Sequence, residues 1–226
     1  MMTVAFTPLF SEEWMGGINY YRNLCSAVAR YESEHLHIKI FLPYGQEKAI
    51  FDEFPPEIEV QETLLLTRWS IPWILRKLWL KCFGHDGVLA FYLRGQKVNV
   101  ISHQQSPARC AGMHNIGWIP DFQHKYLPDF FTKKEIKGRD LAFARLAEKM
   151  DTVVLSSQTA KDDFIKYYPK YAEKARVLRF VPAIDFSARG KRDEVRKKYA
   201  LPDKFFFLPN QYWNYQIGRA SCRERV

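Results

Sequence analysis

The stretch Trp118-Ile-Pro-Asp-Phe-Gln-His-Lys-Tyr-Leu-Pro-Asp-Phe-Phe131 decides how this chain is read. The apolar run from Ile116 to Ile119 reads as a buried strand, and Asp121, Gln123 and His124 follow where that strand ends. In an open parallel α/β sheet, ligands bind outside the carboxyl ends of the strands, so these polar groups sit where chemistry belongs. Pro120 and Pro128 fix φ at two points and restrict the loop between them. A carboxylate, an amide and an imidazole this close together suit hydroxyl recognition or proton transfer. The competing reading is a polar loop whose Asp and His only cap the next helix.

Working outward, strands and helices alternate on both sides of this stretch. Strands are expected at Val4–Phe6, Leu36–Leu42, Ile58–Val60 and Val98–Ile101 before it, and at Thr152–Leu155 and Arg176–Phe180 after it. Helices are expected from Ile18, from Gln46 to Phe54, Ser70 to Phe83, Asp86 to about Leu93, Lys133 to Met150, and Gln158 to Tyr168. In the long helix from Lys133, the residues Leu141, Phe143, Leu146, Ala147 and Met150 are expected to face inward. This alternation predicts an α/β fold with a parallel sheet covered on both faces. Right-handed crossovers then bring all strand ends to one edge.

Four loops meet on that edge. Gly16-Gly17 follows the first strand, where glycines let backbone N–H groups approach a phosphate or a sugar at a helix N-terminus. The three spaced glycines of a dinucleotide fingerprint are absent, which argues against a nicotinamide or flavin cofactor. His103 to Ser106 follow the fourth strand, Asp121 to His124 the fifth, and Ser156-Ser157 the sixth. The expected cleft therefore carries Gly16, Gly17, His103, Asp121, His124 and Ser157.

The helix beginning at Ser70 carries Ile71, Ile74, Leu75, Leu78, Trp79 and Cys82 at helical spacing, the face expected to pack on the sheet. Trp73 and Leu80 lie opposite, beside Arg76 and Lys77. An aromatic and a leucine among cations suit an anionic lipid surface; the alternative is that they pack under the helix from Asp86.

A hydrophobic content of 47%, with 17 Phe, 12 Tyr and 6 Trp, supports a sizeable core and excludes general disorder. The formal charge of +9 is spread along the chain and favours anionic partners. The four cysteines show neither metal-ligand spacing nor a disulfide pattern, as suits a reducing compartment. No secretory leader and no apolar run of membrane-spanning length is visible, so the expected location is cytoplasmic, at most peripheral at the inner face of the membrane. Aromatics occur in core-like runs and do not interleave with Lys and Arg, so no nucleic acid is expected.

After Asp185 the pattern restarts. Ser187 to Lys198 reads as a charged linker running into a solvated helix, and Phe205 to Leu208 as the buried first strand of a second domain. The expected organisation is a first domain over 1–184, a linker and first strand of a truncated domain over 185–216, and a terminal stretch over 217–226.

These residues resemble a family. Trp14-x-Gly16-Gly17-x-x-x-Tyr21-x-x-Asn23-Leu24 is arranged like the first loop of the group 1 GT-B glycosyltransferases. Asp121-Phe-Gln-His124 with Leu127-Pro128-x-Phe130-Phe131 is similar to the mannosyltransferase-like members. Val154 to Gln158, and Phe205 to Trp213, also fit. The resemblance covers Thr3 to Trp213 and implies the Rossmann-like N-terminal half of a GT-B fold. It implies transfer of a sugar, mannose among the candidates, from a nucleotide-sugar donor to a glycan or lipid-linked acceptor. Transfer would proceed with retention, without metal or cofactor, the donor phosphate serving as base. By that resemblance Gly16 and Gly17 lie near the donor diphosphate and Asn210 and Gln211 open the donor site. Asp121 and His124 face the sugar or acceptor, while His103, Gln123 and Ser157 contribute to acceptor binding. The chain departs from the family just beyond Trp213, where Asn214-Tyr215-Gln216 stands in place of a phosphate-binding Lys. A non-catalytic module binding an anionic ligand, a nucleotide or nucleic acid, is the alternative class.

The terminal residues Ile217-Gly-Arg-Ala-Ser-Cys-Arg-Glu-Arg-Val226 are the translation of ATC GGA AGA GCG TCG TGT AGG GAA AGA GTG, which looks like a common sequencing adapter. These residues are accordingly expected to be foreign to the protein, with Cys222 of no functional role. Amplifying the source locus past the Trp213 codon is expected to give a different continuation; the same codons in genomic DNA would overturn this reading.

Overall fold

The computed structural model describes residues 1–8, 15–45, 48–182 and 192–206. Asn210, Gln211 and the stretch 217–226 lie outside the described residues. The chain divides into two compact units, Met1–Phe122 with Lys137–Pro182, and Gln123–Ile136 with Ala183–Val226.

The elements follow one another as the alternation requires. Strand β1 (Met2–Phe6) leads to helix α1 (Met15–Tyr31), then β2 (Leu36–Pro43), a short 3-10 turn at Lys48–Phe51 and β3 (Glu59–Thr63). Helices α2 (Ile71–Phe83) and α3 (Gly87–Gly95) precede β4 (Val100–Gln104) and β5 (His114–Ile119). The short α4 (Gln123–Tyr126) precedes α5 (Lys133–Lys149), β6 (Thr152–Leu155), α6 (Gln158–Tyr167) and β7 (Ala175–Val177). Helix α7 (Arg192–Lys198) is the last described element. Among the described residues the strands form one sheet in the order β3-β2-β1-β4-β5-β6-β7, with every pairing parallel. This is a Rossmann-like sheet.

Side chains alternate between its two faces, as a pleated strand demands. Phe6, Ile38, Ile40, Leu42, Trp118 and Val154 point to the face covered by Ile18, Tyr21 and Cys25 of α1. Ala5, Phe41 and Ile101 point the other way, onto Leu89, Ala90 and Leu93 of α3. Ile119, Val153 and Leu155 meet Leu146, Ala147 and Met150 at the end of α5, with Ala160 and Phe164 of α6. The helices change face because the chain runs outward in opposite directions from β1 and β4 under one crossover handedness. A Cβ at Gly117 would lie 2.8 Å from Met150 Cγ, so glycine there lets α5 approach β5 closely.

Several expectations are corrected. Gly16 and Gly17 are not a turn before a helix; they form the first turn of α1 itself. Leu141 of α5 is exposed, because the inward stripe of that helix is confined to its last turns. Phe205 and Phe206 are exposed and outside any strand, and the other two residues of the strand expected there, Phe207 and Leu208, lie outside the described residues. The largest correction concerns α2. Its ends are as expected: the Ser70 hydroxyl caps Trp73 N–H at 3.2 Å, Pro72 sits in the first turn, and Gly84 closes the helix at φ +74°. Its orientation is not. Ile71, Ile74, Leu75, Leu78, Trp79 and Phe83 are exposed, whereas Trp73 and Leu80 are half-buried and the buried residue is Arg76.

Candidate functional site

The sheet order fixes where to look. From β1 the chain winds outward through β2 and β3, then returns to place β4 on the other side of β1. Neighbouring strands whose connections leave in opposite directions open a crevice at their carboxyl ends. A cavity of about 80 Å³ lies there, lined by Thr7 and Pro8 after β1, by His103 to Ser106 at the end of β4, and by Arg76.

The end of β4 is shaped by a bulge. The register against β5 steps from Ile101↔Asn115 to Gln104↔Gly117, one extra residue on β4, and His103 takes the left-handed φ of +58°. A non-glycine residue in that region holds local strain, of order 1–3 kcal/mol, which the surroundings must offset. Here they do so with hydrogen bonds to both ring nitrogens. Nε2 lies 2.6 Å from the Tyr20 hydroxyl and Nδ1 2.9 Å from Ser102 Oγ. The rings of Phe6, Tyr20, Tyr21 and Trp118 surround the imidazole with centroids 5.2 to 5.7 Å away. Tyr20 in turn stacks on Trp118 at 5.0 Å with the planes 6° apart. Burial pushes the His103 pKa down to about 3 and the Tyr20 phenol well above its usual range. His103 is thus neutral near pH 7, and it holds the bulge in place.

The bulge delivers Gln104 to the cavity. Gln104 is only 7% exposed; its Nε2 donates to Ala108 O at 3.1 Å. Its Oε1 is buried and has no hydrogen-bond partner among the described residues. A buried carbonyl oxygen left without a donor costs about 1–3 kcal/mol, and the residue that carries it lines the cavity. Across from it, the Arg76 guanidinium is held by Asp86, with Nε and Nη2 both 2.7 Å from Oδ2, and donates Nη1–H to Leu65 O at 3.0 Å. Asp86 accepts from Leu89 N–H at 3.2 Å and so also caps α3.

The other expected site residues are distributed as follows. Gly16, exposed, and Gly17, buried, start α1 on the carboxyl edge of the sheet, and a Cβ at Gly16 would meet nothing within 4 Å. Asp121 follows β5 on the same edge, half-exposed, with Arg139 Nη1 3.9 Å from its Oδ1. Ser157 follows β6 there too, but its hydroxyl accepts from Ala160 N–H at 3.0 Å as the cap of α6. Ser156 donates to Pro120 O at 2.5 Å and ties the ends of β6 and β5 together. Gln123 and His124 belong to the second unit as the start of α4; Gln123 is exposed and His124 is 1% exposed. The first unit therefore gathers Gly16, Gly17, His103, Asp121 and Ser157 on one edge. Sequence reasoning did not single out Gln104 or Arg76. The polar run Gln104-Gln105-Ser106 after an apolar strand was the available signal for the first; the second has none in the pattern of its own helix.

Comparison with known proteins bears on the fold. No protein-family model matches the chain, and no curated protein matches it in sequence. Among solved structures, Anabaena Alr3699/HepE in complex with UDP and glucose aligns with a TM-score of 0.52 at 14% identity, covering 88% of this chain and 50% of that one. Phytolacca americana UGT2 in its apo form aligns with a TM-score of 0.49 at 10% identity, covering 89% of this chain and 55% of that one. The chain spans about half the length of the solved structures it matches.

Proposed function

We propose that this chain, whose fold is the Rossmann-like first half of the GT-B glycosyltransferases, is the acceptor-side part of such an enzyme. The complete protein would transfer a sugar, mannose among the candidates, from a nucleotide-sugar donor to a glycan or lipid-linked acceptor. The observation that carries the reading is the cavity at the β1/β4 crevice, lined by Gln104, whose buried Oε1 lacks a hydrogen-bond donor among the described residues. A hydroxyl-rich ligand supplies the donor that this oxygen lacks. The likeness to a protein crystallised with UDP and glucose supports a nucleotide-sugar as donor.

In this reading Gly16 and Gly17 bring the positive end of α1 toward the donor diphosphate, and Asp121 accepts a hydrogen bond from a sugar hydroxyl. His124 is buried, so its role is to position its segment and not to touch the sugar. Ser157, committed to its cap, and His103, committed to the aromatic box, also support the site from behind. The acceptor hydroxyl oxygen forms the new bond to the anomeric carbon on the same face from which the diphosphate departs as its bond breaks. Its proton passes to a diphosphate oxygen, which gives retention without a metal or a side-chain base.

The test is a transfer assay on the complete protein encoded at the source locus, following nucleoside diphosphate release across a panel of nucleotide-sugars. Gln104→Leu, which keeps the shape and removes the acceptor oxygen, is expected to raise the acceptor KM about tenfold with little change in donor KM. Ligand binding without turnover for any donor would move the chain to the non-catalytic class.

A further inference from the structure

Arg76 is the buried side chain of helix α2, Trp73 and Leu80 are half-buried and Trp79 lies against Gly87 of α3, while the stripe of Ile71, Ile74, Leu75 and Leu78 is turned outward. Ile71 is 74% exposed, Leu75 57% and Leu78 54%, and Ile74, Trp79 and Phe83 are exposed beside them. Positions 71, 74, 75 and 78 recur at the three- and four-residue spacing of a single helical stripe. Trp69, 69% exposed, extends the patch before the helix starts. Exposed apolar patches of this kind mark interaction surfaces.

Charge selects the occupant. From Leu64 to His85 the sequence contains no Asp or Glu, and four cations: Arg68, Arg76, Lys77 and Lys81. Arg76 is neutralised by Asp86; the other three are exposed. Lys81 sits beside Ile74 and Leu78 on the helix surface, and Lys77 is one turn before it. Arg68 lies over the Trp69 ring at 5.2 Å and Lys77 over the Trp73 ring at 5.5 Å. A long apolar stripe, indoles at its margin and uncompensated cations along its flank suit an interface between hydrocarbon and anionic headgroups. None of the described helices is long and apolar enough to cross a membrane, and α2, at 13 residues, is about 20 Å long. The geometry is that of a helix lying in the plane of the surface.

We infer that α2 docks this protein on an anionic lipid bilayer, with Ile71, Ile74, Leu75 and Leu78 in the acyl boundary and Arg68, Lys77 and Lys81 at the headgroups. This face is the reverse of the one that Trp73 and Leu80 suggested. The inference stands apart from the transferase reading, because it rests on exposure and charge alone.

Sedimentation with vesicles of phosphatidylcholine and phosphatidylglycerol, which carry no sugar acceptor, tests it without any assay of transfer. Binding is expected at 50 mM salt. In Leu75→Asp/Leu78→Asp the apparent affinity should fall by about tenfold or more, and in Lys77→Gln/Lys81→Gln it should lose its dependence on phosphatidylglycerol and on salt. All four side chains are exposed, and circular dichroism of each variant should match the parent. Absence of sedimentation by the parent chain, or equal sedimentation by parent and Leu75→Asp/Leu78→Asp, overturns the inference. So does a dimer in light scattering that this variant dissolves while vesicles bind neither form, which would make the occupant a second copy of the chain.

Discussion

Replacing Asp86 with alanine is expected to remove about 5 kcal/mol of folding stability, a large fraction of what a domain of this size holds. Asp86 is completely buried, takes a charge-assisted hydrogen bond from Arg76 Nε and forms an ion pair with its Nη2. Without it the guanidinium keeps its place against the Leu65 carbonyl but loses its counter-charge. An uncompensated buried charge accounts for roughly 3–5 kcal/mol by itself, and loss of the α3 cap adds about 1. Urea unfolding at pH 7 measures the total. The companion variant Asp86→Ala/Arg76→Leu removes the stranded charge as well, so it should recover most of the loss and leave roughly the cap contribution. A single-variant cost below about 1 kcal/mol would mean that Arg76 reaches water instead, as in an exposed pair. Because Arg76 is the buried anchor of α2, the single variant should also speed amide exchange along 71–83 more than along β4 and β5.

That anchor shows where sequence reasoning stopped. The apolar stripe of α2 was legible from spacing, and so was its start near Ser70. Spacing identifies a face; it does not identify what the face meets. The orientation was decided by Arg76 finding Asp86 ten positions away across a helix boundary, a pairing outside the helix's own periodicity. The strands fared better, since Ile38, Ile40 and Leu42 opposite Phe41 announce a sheet buried on both sides. The alternation of strands with helices then implied the parallel order. At the site, Gly16-Gly17 and Ser157 were assigned to the correct edge, yet local geometry explains much of their chemistry. Glycines in a helix's first turn and a serine three residues before Ala160 satisfy backbone needs, whatever ligand binds. Gln104 became visible only through the bulge, because nothing in the sequence says that β4 carries one residue more than β5.

The bulge also gives the clearest dependence on pH. His103 is expected to make the protein lose stability as pH falls from about 6.5 toward 3. The sign follows from burial. In the unfolded chain an imidazole takes up a proton near its ordinary value of 6.5, whereas in the folded chain the pKa is pushed down to about 3. Between those limits the unfolded state binds more protons, so stability rises with pH by about 1.4 kcal/mol per unit, and it levels off above the unfolded value. The groups facing the ring are Tyr20 and Tyr21 from α1, Phe6 from β1, Ser102 from β4 and Trp118 from β5. None of them carries charge in this window, so nothing nearby repays protonation. His103→Asn supplies the comparison, since asparagine accepts the left-handed backbone better than most residues and does not titrate. The variant should be less stable at pH 7, where it lacks the bond to Tyr20. Between pH 6.5 and pH 4 it should lose roughly 3 kcal/mol less than the parent. Carboxylates such as Glu59 and Asp151, whose pKa values are lowered, also cost stability in acid, but they do so in both proteins and cancel in the difference. Parallel stability curves for parent and variant would show that the imidazole reaches water and can carry a proton at neutral pH. Diverging curves keep it neutral, which leaves His103 to hold Gln104 at the crevice while proton transfer falls to other groups.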